Sequence, residues 1–158
     1  MAIRVSVETP LQDDVRALVE GLNAHLLPLS PLEFQFKMTV EQMAEPDTTV
    51  FVARNEDGRA VGCGALKMHE DGVGEVKRMF TLPEVRGKRV GSMLVDAIVD
   101  LARARGITRL VLETGTGPGF AGAWRLYENS GFTRCGVVLD YPESEYSAFF
   151  EKRLAEAH

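Results

Sequence analysis

The stretch from Val76 to Leu94, VKRMFTLPEVRGKRVGSML, constrains the fold more than any other part of the chain. Its apolar beginning predicts a strand, and its apolar end predicts the start of a helix. The connecting loop contains three basic residues and two glycines: Arg86, Gly87, Lys88, Arg89 and Gly91. Glycines let backbone N–H groups approach a ligand, and a helix N-terminus adds unpaired donors and the positive end of a dipole. The pattern therefore favours an anion-binding loop, with a basic surface turn as the alternative.

Composition narrows the class of protein. A chain of 158 residues suits one domain, 1–158, with a real core. The net charge of −5 argues against non-specific nucleic-acid binding, which needs a basic face. Cys63 and Cys135 are far apart in sequence, which predicts free thiols in a reducing compartment. No apolar run suits a signal peptide or a membrane span, so we expect a cytoplasmic protein with no membrane partner.

The first half of the chain predicts a strand, two helices and three further strands. Residues 3–7 alternate as a strand does, and Thr9 to Gln12 has the pattern of a capped helix start. Thr39 to Gln42 repeats the capping pattern for a short helix. Three strands connected by Asp-Gly turns are expected next: 48–54, 60–68 and 74–82.

The second half alternates helices and strands. A helix follows the basic loop and ends near Gly106, and the remaining segments predict a strand at 109–113, a helix at 121–130 and strands at 132–138 and 147–153. The order is β-α-α-β-β-β-α-β-α-β-β. Hairpins followed by a βαβ pattern predict an α/β (α+β) fold, a mixed sheet with helices on both faces.

This order, with these residues, resembles the GNAT superfamily of acyl-CoA-dependent N-acyltransferases over nearly the whole chain. Arg86-Gly87-Lys88-Arg89-Val90-Gly91 is similar to the family's Gln/Arg-x-x-Gly-x-Gly/Ala loop, with Arg89 in place of the middle glycine. The segment 123–132, AWRLYENSGF, looks like the family's A-x-x-L-Y-x-x-x-G-F motif, and Phe120 stands where an asparagine is frequent. GCGALK, GEVKRM, LETGTGPGF and DYPESEYSAFFEK resemble a bacterial subgroup of small acetyltransferases typified by YsnE-like proteins.

The resemblance implies a mostly antiparallel sheet and acetyl-CoA as cosubstrate, with no metal. The pyrophosphate would lie on the loop, and the pantetheine arm would pair with the backbone at the end of the preceding strand. The implied coenzyme-binding residues are Met79, Phe80, Thr81, Arg86, Gly87, Lys88, Arg89, Val90, Gly91, Ser92 and Asn129. For Met79 and Phe80, core packing is an equally simple interpretation, and backbone binding is compatible with it. His25 and His158 have no metal-site spacing.

Two side chains are candidates for proton transfer. Tyr127 would be the general acid, because a neutral phenol can give a proton to a departing thiolate; a core tyrosine is the alternative. Glu113 is the first candidate for the base that accepts a proton from the amine, and Glu75 is the second. Each carboxylate is also typical of a solvated strand end. We expect His69, beside a turn, to lie at the surface.

The acceptor, a primary amine of a small molecule or peptide, would bind near the early helices and the final hairpin. Residues of the LSPLEFQF segment and of the last loop are candidates for lining its pocket: Glu33, Phe34, Phe36, Asp140, Tyr141 and Tyr146. Acidic residues there would favour a cationic acceptor, while packed loops and exposed turns are the alternative. Trp124 is expected to pack its helix against the sheet. Apolar final strands and the LPLSPLEFQF segment leave a homodimer open.

Three functions compete at this point. The first is an N-acetyltransferase that transfers the acetyl group by direct attack, and the second is a non-catalytic acyl-CoA-binding or regulatory module on the same scaffold. The third is another nucleotide-binding α/β protein, but the chain has neither a Walker loop nor a Gly-x-Gly-x-x-Gly turn after its first strand.

Overall fold

The structure, a computed structural model, describes residues 2–154 and contains the predicted order of elements. The strands are β1 (Arg4–Val7), β2 (Thr48–Arg54), β3 (Ala60–Met68), β4 (Val73–Thr81), β5 (Arg109–Gly115), β6 (Thr133–Cys135) and β7 (Ser147–Arg153). The helices are α1 (Asp13–Leu26), α2 (Val40–Met43), α3 (Val90–Ala104) and α4 (Ala121–Asn129). No helix in this part of the chain is long and apolar enough to cross a membrane.

The strands form one sheet in the order β1-β2-β3-β4-β5-β7-β6. Every neighbouring pair is antiparallel except β4 and β5, which are parallel, so the predicted mixed and mostly antiparallel sheet is confirmed. The parallel pair extends only from Val73, opposite Arg109, to Glu75, opposite Val111. Beyond these residues the two strands separate, and the gap between them positions the site.

Helices cover both faces of the sheet, as predicted. On one face, α3 contributes Leu94 and Ile98 to a core that also contains Phe150 of β7. On the other face, α1 packs Val15 and other apolar residues against β2 and β3. The expected packing of Trp124 between its helix and the sheet is confirmed. Its ring meets Phe150 edge to face with centroids 5.5 Å apart, and its Nε1 donates to the carbonyl of Gly115 at 2.9 Å.

The predicted start of α1 is wrong. The helix begins at Asp13 with Gln12 as its N-cap residue, not at Thr9 and Pro10. The Gln12 side chain donates to the carbonyl of Thr9 and to Glu8, each at 2.9 Å, so it does not close a capping box. Asp13 and Asp14 instead place negative charge at the positive end of the helix dipole.

The capping box of α2 is confirmed. The Thr39 hydroxyl accepts from the amide of Gln42 at 3.1 Å, and the Gln42 side chain accepts from the amide of Thr39 at 2.8 Å. Each partner therefore satisfies one backbone donor that a helix start leaves unpaired.

The strand predicted over 132–138 is shorter than expected. β6 ends at Cys135, and Leu139 has a left-handed φ of 51°, which turns the chain out of the sheet. Val138 leaves the edge and packs against Val111 and Phe149. Burial of this side chain thus replaces further edge pairing. Both cysteines are free thiols.

Candidate functional site

A cleft of about 680 Å³ opens where β4 and β5 separate. Its walls come from both strands, from the end of α1 with the segment after it, from the basic loop with the start of α3, and from α4. All of the implied coenzyme-binding residues line this cleft except Lys88, which is exposed and lies outside it. Tyr127, Glu113 and Glu75 line it too, so the gap brings the candidate catalytic and binding residues together.

The basic loop is a tight turn with left-handed residues. It follows a 3-10 turn over Pro83–Val85 and leads directly into α3. Gly87 has φ 81° and Arg89 has φ 65°, both in the region that favours glycine. Gly87 therefore has the freedom that its backbone needs, whereas Arg89 adopts a conformation that disfavours a side chain.

Several amide groups of this loop have no backbone acceptor. Within residues 2–154, no hydrogen bond outside the regular elements uses the amide of Gly87 or those of the first residues of α3, Val90, Gly91 and Ser92. Unpaired donors at a helix start, beside basic side chains, are suited to hold an anion. Gly91 also permits close helix packing, because an added Cβ would lie 3.1 Å from a methyl group of Leu126.

The end of β4 has one free edge. The Leu82 amide donates to the carbonyl of Val61 in β3 at 2.9 Å. Because successive residues of a strand direct their backbone groups to opposite sides, the N–H and C=O of Thr81 face away from β3. There β5 has already separated, so this edge can pair with an extended ligand. The side chain of Phe80 packs near His25, with ring centroids 6.4 Å apart.

Tyr127 is a buried residue on α4 that lines the cleft. Its ring packs against Phe132 and Phe150, with centroids 5.9 Å and 6.1 Å apart. Burial, followed by the negative charge of Glu113, raises the pKa of Tyr127, so the phenol keeps its proton.

Glu113 has the environment of a group that titrates near neutrality. It lies on β5 opposite Phe149, and its Oε2 accepts from the hydroxyl of Ser147 at 2.8 Å. Burial raises the pKa of Glu113 to about 7 despite that hydrogen bond and the nearby charge of Lys77, which lower it. The solvated strand-end interpretation is therefore wrong for this residue.

Glu75 is held in a network instead. It is only 3% exposed, and it contacts Lys77 at 3.3 Å, His69 Nε2 at 2.9 Å and the hydroxyl of Tyr141, which donates to it. A solvated strand end is wrong here as well, and so is a surface position for His69, whose ring turns inward to this carboxylate. Both carboxylate oxygens of Glu75 are therefore occupied by contacts with other side chains.

The candidates for the acceptor pocket divide into two groups. Phe34, Phe36 and Tyr141 line the cleft, and Phe36 meets Tyr141 edge to face with centroids 5.1 Å apart. Glu33 and Asp140 are exposed and lie outside it, because their short turns direct them to solvent. Tyr146 lies outside the lining and supports it, with its ring tilted by 33° against that of Phe34 and the ring centroids 5.1 Å apart.

Sequence reasoning missed four basic residues that line the cleft, Lys37, Lys77, Arg78 and Arg125, of which the two in β4 are adjacent. Lys77 bonds to Glu75 and to Tyr141, and Arg78 donates from Nη2 to Asn23 of α1. Arg78 lies at a bulge where the register of β3 and β4 shifts between Cys63 and Ala65. The available signal was the pair of adjacent basic residues inside an apolar strand.

Within residues 2–154, no group of three or more His, Cys, Asp or Glu side chains could hold a metal ion. His25 is exposed and lies beside Phe80, and His158 lies outside the described residues.

Comparison with known proteins agrees with this geometry. The sequence model of the Acetyltransferase (GNAT) family matches residues 19–132. The chain is 40% identical to IAA acetyltransferase of Azospirillum brasilense, covering 96% of this chain and 98% of that protein. It is 37% identical to the uncharacterised N-acetyltransferase YsnE of Bacillus subtilis, covering 88% and 93%.

Solved structures show the same architecture. A Klebsiella pneumoniae protein provisionally described as an acyl-CoA N-acyltransferase superposes with a TM-score of 0.81 at 29% identity, covering 97% of this chain and 98% of that one. PaiA N-acetyltransferase of Thermoplasma acidophilum, crystallised with coenzyme A, superposes with a TM-score of 0.75 at 16% identity, covering 98% and 100%, and shows the fold alone. The chain thus belongs to the Acetyltransferase (GNAT) family and is an acyltransferase.

Proposed function

We propose that this protein is an N-acetyltransferase that moves the acetyl group of acetyl-CoA directly to a primary amine of a small molecule or peptide. The observation that carries the proposal is the convergence of Tyr127 and Glu113 on one cleft, which also contains the basic loop. One group keeps its proton and the other titrates near neutrality. That difference in pKa is what an acid and a base in one site require.

The loop residues would hold the pyrophosphate of the coenzyme. The amides of Gly87, Val90, Gly91 and Ser92 provide donors without backbone acceptors, and Arg86 adds charge at the edge of the cleft. Lys88 and Arg89 would contribute charge from exposed positions. These groups fit a diphosphate, because oriented amides and cations both favour negative oxygens.

The free edge of β4 would hold the pantetheine arm. The backbone groups of Thr81 face the gap, the neighbouring Met79 lines the cleft, and the side chain of Phe80 packs toward α1. An extended arm can pair with this edge as an added strand. Asn129, near the end of α4, lines the same cleft and offers an amide to the coenzyme.

Glu113 would accept the proton of the amine. An ordinary amine has a pKa near 10 and arrives protonated at neutral pH, so it must lose a proton before it attacks. A carboxylate with a pKa of about 7 is a stronger base than a solvated one, which suits this task. Glu75 is the weaker candidate, because Lys77, His69 and Tyr141 occupy its oxygens.

Tyr127 would provide the proton that the departing thiolate takes up. The acetyl-CoA thioester supplies the acetyl group and leaves coenzyme A as a thiol. Burial keeps Tyr127 neutral, and the packing against Phe132 and Phe150 fixes the direction of its ring. A fixed, protonated phenol is a better donor than a mobile one, since its orientation is set before reaction.

We extend the proposal to the whole chain. Residues 1–158 would form one domain, because all described strands share one sheet; Met1 and 155–158 lie outside the described residues. Free Cys63 and Cys135 suit the reducing cytoplasm. A homodimer would use the apolar segment after α1, where Leu32 is 70% exposed, and sedimentation would test it.

The test is release of coenzyme A thiol from acetyl-CoA with pools of amino acids, polyamines, aminoglycosides and short peptides. IAA is tested as a further acceptor, because the Azospirillum brasilense relative is called IAA acetyltransferase. We expect release above the acceptor-free rate in one pool, with the Tyr127→Phe protein as the matched control. Acetyl-CoA binding with no release in any pool would contradict the proposal.

A further inference from the structure

We infer that Arg78 binds a carboxylate of the acceptor, which makes the substrate class amino acids and similar carboxylate-bearing amines rather than polycations. This inference rests on the proposed function, because it names the class of molecule that the acetyl group reaches. It departs from the sequence-based expectation of a cationic acceptor, which depended on acidic residues that the structure places outside the cleft.

Arg78 is a buried cation without a matching anion. Arg78 is among the residues that line the cleft, yet it is only 8% exposed. Nη2 donates to the amide oxygen of Asn23, Nε is buried without a hydrogen-bond partner, and no carboxylate in residues 2–154 forms an ion pair with this residue. A buried charge with an unused donor is strongly unfavourable, and an anionic ligand would relieve both costs.

An unusual backbone conformation sets the direction of the Arg78 side chain. Arg78 has φ 56°, a left-handed conformation that an arginine rarely adopts, at the bulge where β3 and β4 change register. A bulge re-aims a side chain relative to the regular pleat, and strain of this kind collects at functional sites. Without the bulge, the position would follow the alternation of β4.

The neighbouring cation is already neutralised. Lys77 contacts Glu75 at 3.3 Å and the hydroxyl of Tyr141 at 2.9 Å, so its charge has protein partners. Arg78 therefore offers a buried positive charge that no carboxylate of residues 2–154 pairs, whereas the charge of Lys77 is paired. Arg78 contacts Asn23 of α1, which covers one face of the sheet. The basic loop leads into α3, which covers the opposite face. The two cationic sites serve different ligands.

A second buried atom without a partner belongs to Gln35, a residue of the cleft wall. Gln35 uses its Nε2 twice, donating to the carbonyl of Leu27 at 3.1 Å and of Ser30 at 2.6 Å. Its Oε1 is buried without a partner, and the two bonds fix which end of the amide is oxygen. An N–H or O–H of the acceptor would satisfy it. Phe34 and Phe36 flank Gln35 and offer an apolar surface for the rest of the molecule.

The experiment compares acids with their neutral amides. N-acetyl-leucine, N-acetyl-phenylalanine and N-acetyl-tryptophan are titrated calorimetrically, each as acid and as carboxamide, into protein saturated with coenzyme A. In parallel, the free amino acids and their amides serve as acetyl acceptors. We expect at least one acid to bind about 30-fold or more tightly than its amide. Arg78→Met should abolish that preference, Arg78→Lys should restore part of it, and Lys77→Met should retain it.

The outcomes separate this inference from the proposed function. Equal binding of acid and amide in every wild-type pair would overturn the carboxylate site, even where acetyl transfer to amides is fast. A preference that Lys77→Met removes and Arg78→Met leaves intact would overturn it as well. An Arg78-dependent preference in a protein that acetylates no acceptor would refute the N-acetyltransferase proposal and leave the carboxylate site standing. The wild-type comparison needs no variant, so a poorly folded Arg78→Met protein leaves the test intact.

Discussion

Replacement of Glu113 by glutamine is the sharpest perturbation that the structure suggests. Glutamine keeps the size of the side chain and a carbonyl that can accept from Ser147, but it cannot take up a proton. If Glu113 is the base, kcat/KM should fall by about 10²–10⁴ at pH 8. The pH dependence should also change, because the ionisation of this carboxyl disappears.

The size of the pH effect follows from the burial of Glu113. With a pKa of about 7, roughly a tenth of the wild-type protein is deprotonated at pH 6 and roughly nine-tenths at pH 8. Wild-type kcat/KM should therefore rise about tenfold over that interval and then level off. A solvated glutamate, ionised throughout this range, would give no such rise.

The free energy of unfolding of the wild-type protein should fall as pH rises, whereas kcat/KM should rise. Because the folded pKa lies above the unfolded value of 4.5, the protonated carboxyl favours the folded state, and this contribution is lost as pH rises through about 7. The full difference corresponds to at most about 3 kcal/mol. The Glu113→Gln protein should thus gain stability relative to wild type between pH 5 and pH 8 in urea unfolding.

Thiol release measured from pH 5.5 to pH 9 is the assay, and Ser147→Ala is the control. The Ser147 hydroxyl stabilises the carboxylate, so its removal should move the inflection to higher pH. An inflection near pH 7 that persists in Glu113→Gln would refute the reasoning, because another group would then be titrating.

The remaining predictions concern the acid, the loop and two glycines. Tyr127→Phe should lower kcat by about 10²–10⁴ with an unchanged fold by circular dichroism, and an unchanged kcat would remove it from the mechanism. Arg89→Gly should stabilise the protein by about 1 kcal/mol in urea unfolding, since φ is 65°, whereas Arg86→Gly, with φ −62°, should not; equal effects would contradict the strain argument. Gly115→Ala should destabilise the protein by about 1–3 kcal/mol, because the added Cβ would lie 2.2 Å from the ring of Phe120. Gly122→Ala, in open space on α4, should stabilise it by about 0.5–1 kcal/mol. The reverse order of stabilities would be inconsistent with the packing.

Local patterns predicted most of the fold. The order of elements, the capping box of Thr39 and Gln42 and the strands joined by Asp-Gly turns depend on near neighbours, so periodicity and turn chemistry were sufficient. The prediction of where α1 begins was wrong because the Gln12 side chain has several acceptors in reach, and sequence spacing does not show which of them it uses.

Parts of the candidate site depend on distant contacts. Tyr141 reaches Glu75 across 66 positions of sequence, and Ser147 reaches Glu113 across 34. Burial of these carboxylates therefore follows from packing that no local window contains. The position of Arg78 requires the register shift against β3, which a pattern of apolar residues does not reveal.

The central claim is direct transfer of an acetyl group to an amine within the cleft between β4 and β5. The most direct measurement is a single turnover with carbon-13-labelled acetyl-CoA and an acceptor found active in the thiol assay, followed by mass spectrometry of protein and small molecules. The account predicts label on the amine nitrogen of the acceptor and none on the protein. Label on the protein during turnover, or thiol release with no acetylated amine, would contradict it.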